Sequence, residues 1–163
     1  MSGEWVLLSY RLPREPSAPR VALWRRLKRL GAAQVSDGLV ALPADARTRE
    51  QLEWACEEVV ERGGSASVWL ARPSTSSHER ELASAMAADR AAEWVEVSDA
   101  ARIALDAAPT EQRSALTRLR RASRQVARRD FFPTSERDAA RSALRDLEVQ
   151  VATYDDAPAG RSR

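Results

Sequence analysis

Hydrophobic and polar positions alternate with two different periods along the first 72 residues. Short apolar runs bounded by proline, glycine or aspartate predict β-strands, and apolar residues repeated every three or four positions predict helices. The pattern therefore predicts strand, helix, strand, strand, helix and strand in that order. The predicted strands are residues 4–11, 33–36, 39–42 and 65–71, and the predicted helices are residues 18–31 and 48–62.

Turn-forming residues separate these elements. The prolines within residues 13–19 cannot lie inside a helix and predict a loop. Asp37-Gly38 predicts a tight hairpin, and Thr48 followed three residues later by Gln51 predicts a capping box that begins the second helix. This order predicts an α+β, ferredoxin-like split βαβ fold, a four-stranded antiparallel sheet with two helices on one face. Trp5, Tyr10 and Trp69 are the candidates for the opposite face.

Beyond residue 72 the pattern becomes helical throughout. Apolar residues at helical spacing predict a long helix at 77–108, then a helical hairpin at 110–129 and from Thr134 or Ser135 to 151. Trp94-Val95-Glu96-Val97 alternates like a strand, which leaves open a break in the long helix. The predicted divisions are a ferredoxin-like domain at 4–72, a linker at 73–77, a helical region at 78–152 and a disordered tail at 153–163.

Composition narrows the class of protein. The 163 residues are 44% hydrophobic and 31% charged, with a net charge of +2. A single cysteine, Cys56, excludes an internal disulfide. The chain shows neither a secretion signal at its start nor a run of about 20 apolar residues that would cross a membrane. We therefore expect a cytoplasmic protein without a membrane partner.

Basic charge is concentrated on two predicted helices and is almost entirely arginine. Such rows can neutralise DNA phosphates, although a solvated helix face paired with nearby glutamates would look the same in the sequence. The candidate DNA-binding residues are Arg20, Arg25, Arg26 and Arg29 on the first helix, and Arg113, Arg120, Arg121, Arg124 and Arg128 along one stripe of the later helix.

A smaller set of arginines surrounds the proline-rich loop. Arg11, Arg14 and Arg20 flank this loop beside the start of a helix. A helix N-terminus together with guanidinium groups favours a doubly charged oxyanion. The alternative is that Arg14 pairs with Glu15 and only holds the loop.

Three segments together resemble a known family. They are SYRLPREPSAPRVALWRRLKRLGA at 9–32, Leu42-Pro43 with Arg47-Thr48-Arg49-Glu50-Gln51, and Asp130-Phe131-Phe132-Pro133. In the sequence of these segments the chain resembles the N-terminal domain of ChrB, a family of bacterial chromate-resistance regulatory proteins. The resemblance implies transcriptional control with DNA as the partner. It also implies chromate as the effector, which the arginines around the loop would then bind. Family members commonly continue into a further chromate-resistance domain, so self-association as a homodimer or a separate partner protein is expected to complete this chain.

Enzymatic chemistry has little support in the sequence. No glycine-rich phosphate loop or nucleophile motif is present, and Ser9 and Tyr10 stand where CRISPR-associated nucleases of similar, ferredoxin-like topology carry a metal-binding acid. Cys56 and His78 are each single, so no metal site or cofactor is expected. The alternative function is a protein interaction module using the helical region and Trp54, which lies off the apolar face of its helix and needs cover from the C-terminal helices or a second copy.

Overall fold

The computed structural model describes residues 3–155 of the chain and contains one antiparallel sheet and five helices within that range. The elements are β1 (Trp5–Arg11), α1 (Ala18–Leu30), β2 (Ala33–Ser36), β3 (Leu39–Pro43), α2 (Ala46–Glu61), β4 (Ser65–Ala71), α3 (Ser76–Leu105), α4 (Pro109–Ala127) and α5 (Ser135–Asp155). The prediction of an α+β protein, with a four-stranded antiparallel sheet, two helices and a helical C-terminal region, is confirmed. The chain divides into two compact units, Met1–Met86 and Ala87–Arg163, and α3 runs through the division.

The sheet has the strand order β2-β3-β1-β4, with every neighbouring pair antiparallel. The central strand β1 sets the register, because Leu8 lies opposite Val40 on β3 and opposite Val68 on β4. The predicted hairpin joins β2 to β3 at Gly38, whose φ is 72°. A Cβ at this position would lie 2.4 Å from the carbonyl oxygen of Tyr10, so the close approach of the chains requires glycine.

Alternation along the strands sorts side chains between the two faces of the sheet. One face packs under α1 and α2, and its buried side chains are Val6, Leu8, Val40 and Leu42 from the strands with Leu23, Leu27, Leu52, Ala55 and Val59 from the helices. On the other face Trp5 is buried, and its indole N–H donates to Glu79 in the first turn of α3 at 3.3 Å. Trp69 shares that face with Trp5, whereas Tyr10 follows Leu8 onto the helix-covered face.

The start of α2 differs from the prediction. The N-cap is Asp45, not Thr48, and the helix begins two residues earlier than expected, at Ala46. The Asp45 carboxylate accepts from the Thr48 backbone N–H at 2.7 Å, and the Thr48 hydroxyl accepts from the Asp45 N–H at 2.9 Å. This is a reciprocal capping box in which Thr48 occupies the third helical position, so Gln51 has no part in it. The same hydroxyl lies 2.6 Å from the Pro43 carbonyl, to which it donates, and thereby ties α2 to the end of β3.

The second unit has its own core between α3, α4 and α5. Its buried side chains include Trp94, Val97 and Ala101 on α3, packed in one cluster with apolar residues of α4 and α5. Helix α3 continues unbroken through Trp94–Val97, because Trp94 and Val97 fall three residues apart on its buried face while Val95 and Glu96 are exposed.

Both ends of the helical region extend beyond the prediction. Helix α3 begins at Ser76, inside the segment expected to be a linker. Helix α5 continues to Asp155, so residues 153–155 belong to a helix, where a disordered tail was predicted. The Thr153 hydroxyl donates to the carbonyl of Val149 one turn earlier at 2.8 Å. The remainder of the predicted tail, 156–163, lies outside the described residues.

The turn between α4 and α5 is held by a buried carboxylate. The indole N–H of Trp94 donates to Asp130 Oδ2 at 2.9 Å, and Arg137 lies 3.6 Å from the same oxygen. The Asp130 side chain is only 1% exposed. Beside it, Arg129 donates to Glu93 of α3, so the Asp130-Phe131-Phe132-Pro133 segment fixes the helical hairpin against α3.

Candidate anion-binding surfaces

The three arginines proposed for oxyanion binding line one open cleft. Its volume is about 1060 Å³, and it lies where the end of β1, the proline-rich loop, the first turns of α1 and the β2–β3 hairpin meet. Arg11 comes from the end of β1, Arg14 from the loop and Arg20 from the first turn of α1, and all three side chains are exposed. The predicted grouping of Arg11, Arg14 and Arg20 around this loop is thus seen in the structure, and oxyanion binding stays a prediction.

Three arginines outnumber the Asp37 carboxylate, which also lines this cleft. The first turn of α1 contains no acidic residue, and Ser17 at the N-cap makes no side-chain capping hydrogen bond. Among residues 3–155, Arg14 and Glu15 form no ion pair. Ser17 at the start of α1 and Arg20 in its first turn both line the cleft, and the positive end of a helix together with an arginine excess favours an anion there.

Two polar residues of the cleft were missed from the sequence. Tyr10 and Gln34 both line it. Burial raises the pKa of Tyr10 above its ordinary value of 10.0, Arg20 and a hydrogen bond from Gln34 lower it in part, and Asp37 raises it. Tyr10 and Gln34 therefore add neutral polar side chains to the guanidiniums that line the cleft. The alternation Leu8, Tyr10 was the only sequence signal for the direction of this tyrosine.

The remaining arginines of α1 do not form one row with Arg20. Arg26 pairs with Glu58 of α2 at 2.7 Å and links the two helices, with only 28% of its side chain exposed. Arg25 and Arg29 are exposed and four residues apart, so they share another face. Arg20 instead lies in line with Trp24, over which the Lys28 ammonium sits 5.5 Å from the ring centre. The α1 group therefore splits into a cleft residue, a structural ion pair and an outer pair.

The α4 arginines form the predicted stripe. Arg113, Arg120, Arg121, Arg124 and Arg128 are all exposed, on the side of α4 opposite its buried Ala115, Leu116, Leu119 and Val126. At 1.5 Å per residue the stripe from Arg113 to Arg128 is about 22 Å long.

Individual members of the stripe differ in their engagement. Arg120 pairs with Glu148 of α5 at 2.8 Å, and both side chains are partly exposed. Arg113 and Arg128 each interact with another group of the chain. Within the part of the chain that the structure describes, Arg121 and Arg124 make no ion pair, which makes them the members best able to meet a polyanion.

Other chemistry is sparse within residues 3–155. No cluster of three or more histidine, cysteine or acidic side chains is arranged to hold a metal ion in that range. Burial and the neighbouring Glu57 raise the pKa of Cys56, which keeps its thiol protonated. None of the helices described is both long enough and apolar enough to cross a membrane.

Comparison with known proteins addresses the resemblance noted in the sequence. The chain is 28% identical over 151 residues to Protein ChrB of Cupriavidus metallidurans (strain ATCC 43123 / DSM 2839 / NBRC 102507 / CH34), an alignment covering 90% of this chain and 46% of that protein. It thus spans about half the length of this relative. No solved structure matches the chain. The model of the family described as Protein ChrB, N-terminal, matches residues 20–158, which include α1 from Arg20 onward and the Asp130-Phe131-Phe132-Pro133 turn. With most of its length matched, this chain belongs to the ChrB N-terminal family.

Proposed function

We propose that this chain is a chromate-resistance regulator that binds DNA through the arginine stripe of α4 and acts in the bacterial cytoplasm. Its membership in the ChrB N-terminal family supports the regulatory role. The observation that carries the DNA contact is the exposure of five arginines along one face of α4, with Arg121 and Arg124 outside any ion pair among the described side chains.

The geometry suits a phosphate backbone. A row about 22 Å long spans several successive phosphates of one strand. The Arg120–Glu148 pair is partly exposed on both sides, and exposed pairs contribute only about 0–1 kcal/mol, so DNA can displace it at low cost. If all five arginines meet phosphates, log K falls against log salt with a slope of about −4.5.

Fluorescence anisotropy with labelled DNA from the promoter region of chromate-resistance genes, measured across a salt series, tests the stripe. The double variant Arg121→Glu, Arg124→Glu is expected to lose affinity by at least about tenfold and to flatten the salt slope by about 2, because two phosphate contacts are lost.

The matched control is the double variant Arg80→Glu, Arg102→Glu, which makes the same change of net charge on α3. Both arginines are exposed, and Arg102 lies 3.5 Å from Asp99. Equal losses for the control and the α4 variant would show that net charge alone matters, and no binding by the unchanged chain at low salt would refute the DNA role.

We further propose that chromate is the effector and that the α1 cleft receives it. Three exposed guanidiniums, the Tyr10 hydroxyl and the Gln34 amide line the same cleft, and a doubly charged tetrahedral oxyanion can take charge-assisted hydrogen bonds from several of them at once. Calorimetric titration with chromate and with sulfate separates chromate recognition from general dianion binding. Arg20→Gln is expected to abolish the heat, whereas Arg25→Gln on the outer face is expected to retain it. Absence of heat at millimolar chromate would refute the cleft.

We infer that the sheet domain is ferredoxin-like and works by binding and not by catalysis. Support for the fold is the strand order β2-β3-β1-β4 with antiparallel neighbours and two helices on one face. A nuclease assay with and without magnesium tests the second point, since metal-dependent cleavage would overturn it.

An interaction module is the second candidate. Trp54 on α2 is 54% exposed, so it lacks the cover that a large aromatic side chain usually has. In this alternative a separate chromate-resistance domain binds the chain, and no salt-dependent DNA binding occurs. Retention of a purified chromate-resistance domain by the unchanged chain, lost in Trp54→Ala, would favour it.

A further inference from the structure

Strand β4 is an open edge of the sheet. Among residues 3–155, the order β2-β3-β1-β4 leaves it paired with β1 on one side only. Its seven residues keep an uninterrupted register with β1 from Trp5↔Ala71 to Arg11↔Ser65. The backbone groups on its outer side therefore form a straight, regular row, which is the geometry that accepts another strand.

The opposite edge of the same sheet is protected, and β4 is not. Strand β2 has four residues, and its register with β3 shifts between Gln34 and Ser36. Short strands and bulges of this kind block pairing with another chain, as do charged residues and proline. Strand β4, with the sequence Ser-Ala-Ser-Val-Trp-Leu-Ala, has none of these features.

Apolar side chains are exposed on both faces of this edge. Trp69 is 60% exposed on the face it shares with Trp5, and Leu70 is 50% exposed on the side of α1 and α2. The Trp69 indole N–H is satisfied by Ser67 of the same strand at 2.8 Å, so its ring can be covered without leaving a donor unpaired.

The strand is complementary to itself when it runs antiparallel. With a two-fold axis at Val68, Trp69 lies opposite Ser67 of the second copy and Leu70 lies opposite Ala66. Each large side chain thus faces a small one, and no like charges oppose each other, because the strand carries no charge. These are the requirements of an isologous contact, in which one surface serves both partners.

We propose that the partner of this edge is a second copy of the chain, paired antiparallel through β4 to give a continuous eight-stranded sheet. A largely exposed tryptophan offers about 150 Å² for burial in each copy. Together with Leu70 and the strand backbone this stays below the roughly 800 Å² per partner of a standard interface, so the dimer is weak and depends on concentration. The proposal does not rest on DNA binding.

Sedimentation equilibrium without DNA, from about 1 µM to about 1 mM chain, tests it. The unchanged chain is expected to pass from monomer to dimer over this range. Trp69→Glu and Leu70→Glu are expected to stay monomeric, because each copy would then carry a charge at the two-fold contact. Their circular dichroism should match that of the unchanged chain, because both side chains already face solvent.

Trp54→Glu is the matched control, since Trp54 has nearly the same exposure as Trp69 but lies on α2. It is expected to dimerise like the unchanged chain. Dissociation caused by Trp54→Glu but not by Trp69→Glu would overturn the proposal. An unchanged chain that stays monomeric over the whole concentration range would also overturn it. Amide hydrogen exchange gives a second measurement: protection in β4 should rise with concentration while that in β2 stays constant, and a constant β4 would also refute the pairing.

Discussion

Replacing Asp130 by alanine removes the carboxylate that holds the α4–α5 turn. Trp94 is fully buried, and its indole N–H donates to Asp130 at 2.9 Å. In Asp130→Ala this donor has no acceptor, which costs about 1–3 kcal/mol. Arg137, 22% exposed and 3.6 Å from the carboxylate, also loses its counter-ion.

The two losses together place the destabilisation near the lower end of the range for broken buried ion pairs, at about 3 kcal/mol. For a chain of this size that lowers Tm by about 6–12 °C. Asp130→Asn should cost less, about 1 kcal/mol, because an amide oxygen can still accept from Trp94 and only the attraction to Arg137 is lost.

Urea unfolding followed by circular dichroism measures these differences. Asp99→Ala is the matched control, because Asp99 pairs with Arg102 at 3.5 Å with about 60% of both side chains exposed, and exposed pairs contribute less than about 1 kcal/mol. If Asp130→Ala lowers the free energy of unfolding no more than Asp99→Ala does, the Trp94–Asp130 hydrogen bond does not support the helical unit as described here.

Three further measurements test the sheet domain. Gly38→Ala should destabilise the chain to urea more than Gly63→Ala does. Both glycines have positive φ, which costs alanine about 1–2 kcal/mol, but of the two only Gly38 would place the new Cβ 2.4 Å from the Tyr10 carbonyl oxygen. Equal losses would contradict this reasoning. Leu8→Ala, at a position with no exposure, should cost about 2–5 kcal/mol, and a smaller loss would mean that the core collapses around it. Arg20→Gln should raise the pKa of Tyr10, since Arg20 now lowers it; ultraviolet titration of the phenol checks the sign.

Local patterns in the sequence were sufficient for the elements of the fold. The alternation of β1 and β3 and the three- to four-residue spacing of α1 and α4 follow from backbone geometry, so they can be read without knowing the neighbours. Glycine at Gly31 and Gly38 likewise marks positive φ, because other residues rarely adopt it. The family membership, too, was visible in the amino-acid sequence of α1 and of the turn at Asp130.

The sequence also located both arginine groups, but it did not show which of these arginines form ion pairs within the protein. Arg26 is committed to Glu58, 32 residues away, and Arg120 to Glu148. Which guanidinium meets a carboxylate depends on helix packing, and no local spacing reports it. The same reason explains why Tyr10 and Gln34 were absent from the predicted oxyanion set, since they reach the cleft through β1 and β2.

Competing local signals were decided by tertiary structure. Asp45 capped α2 in preference to Thr48 because the Thr48 hydroxyl is engaged with Asp45 and the end of β3. Trp94–Val97 alternates like a strand, yet it is helical because Trp94 fills the core between α3, α4 and α5. Sequence by itself thus determined the order of elements, through sterics and periodicity that act over a few residues, and it indicated the family through the resemblance of particular segments. Only the folded chain decided which charges are paired, which remain available to a ligand and which strand edge stays open, because those depend on residues brought together from distant parts of the sequence.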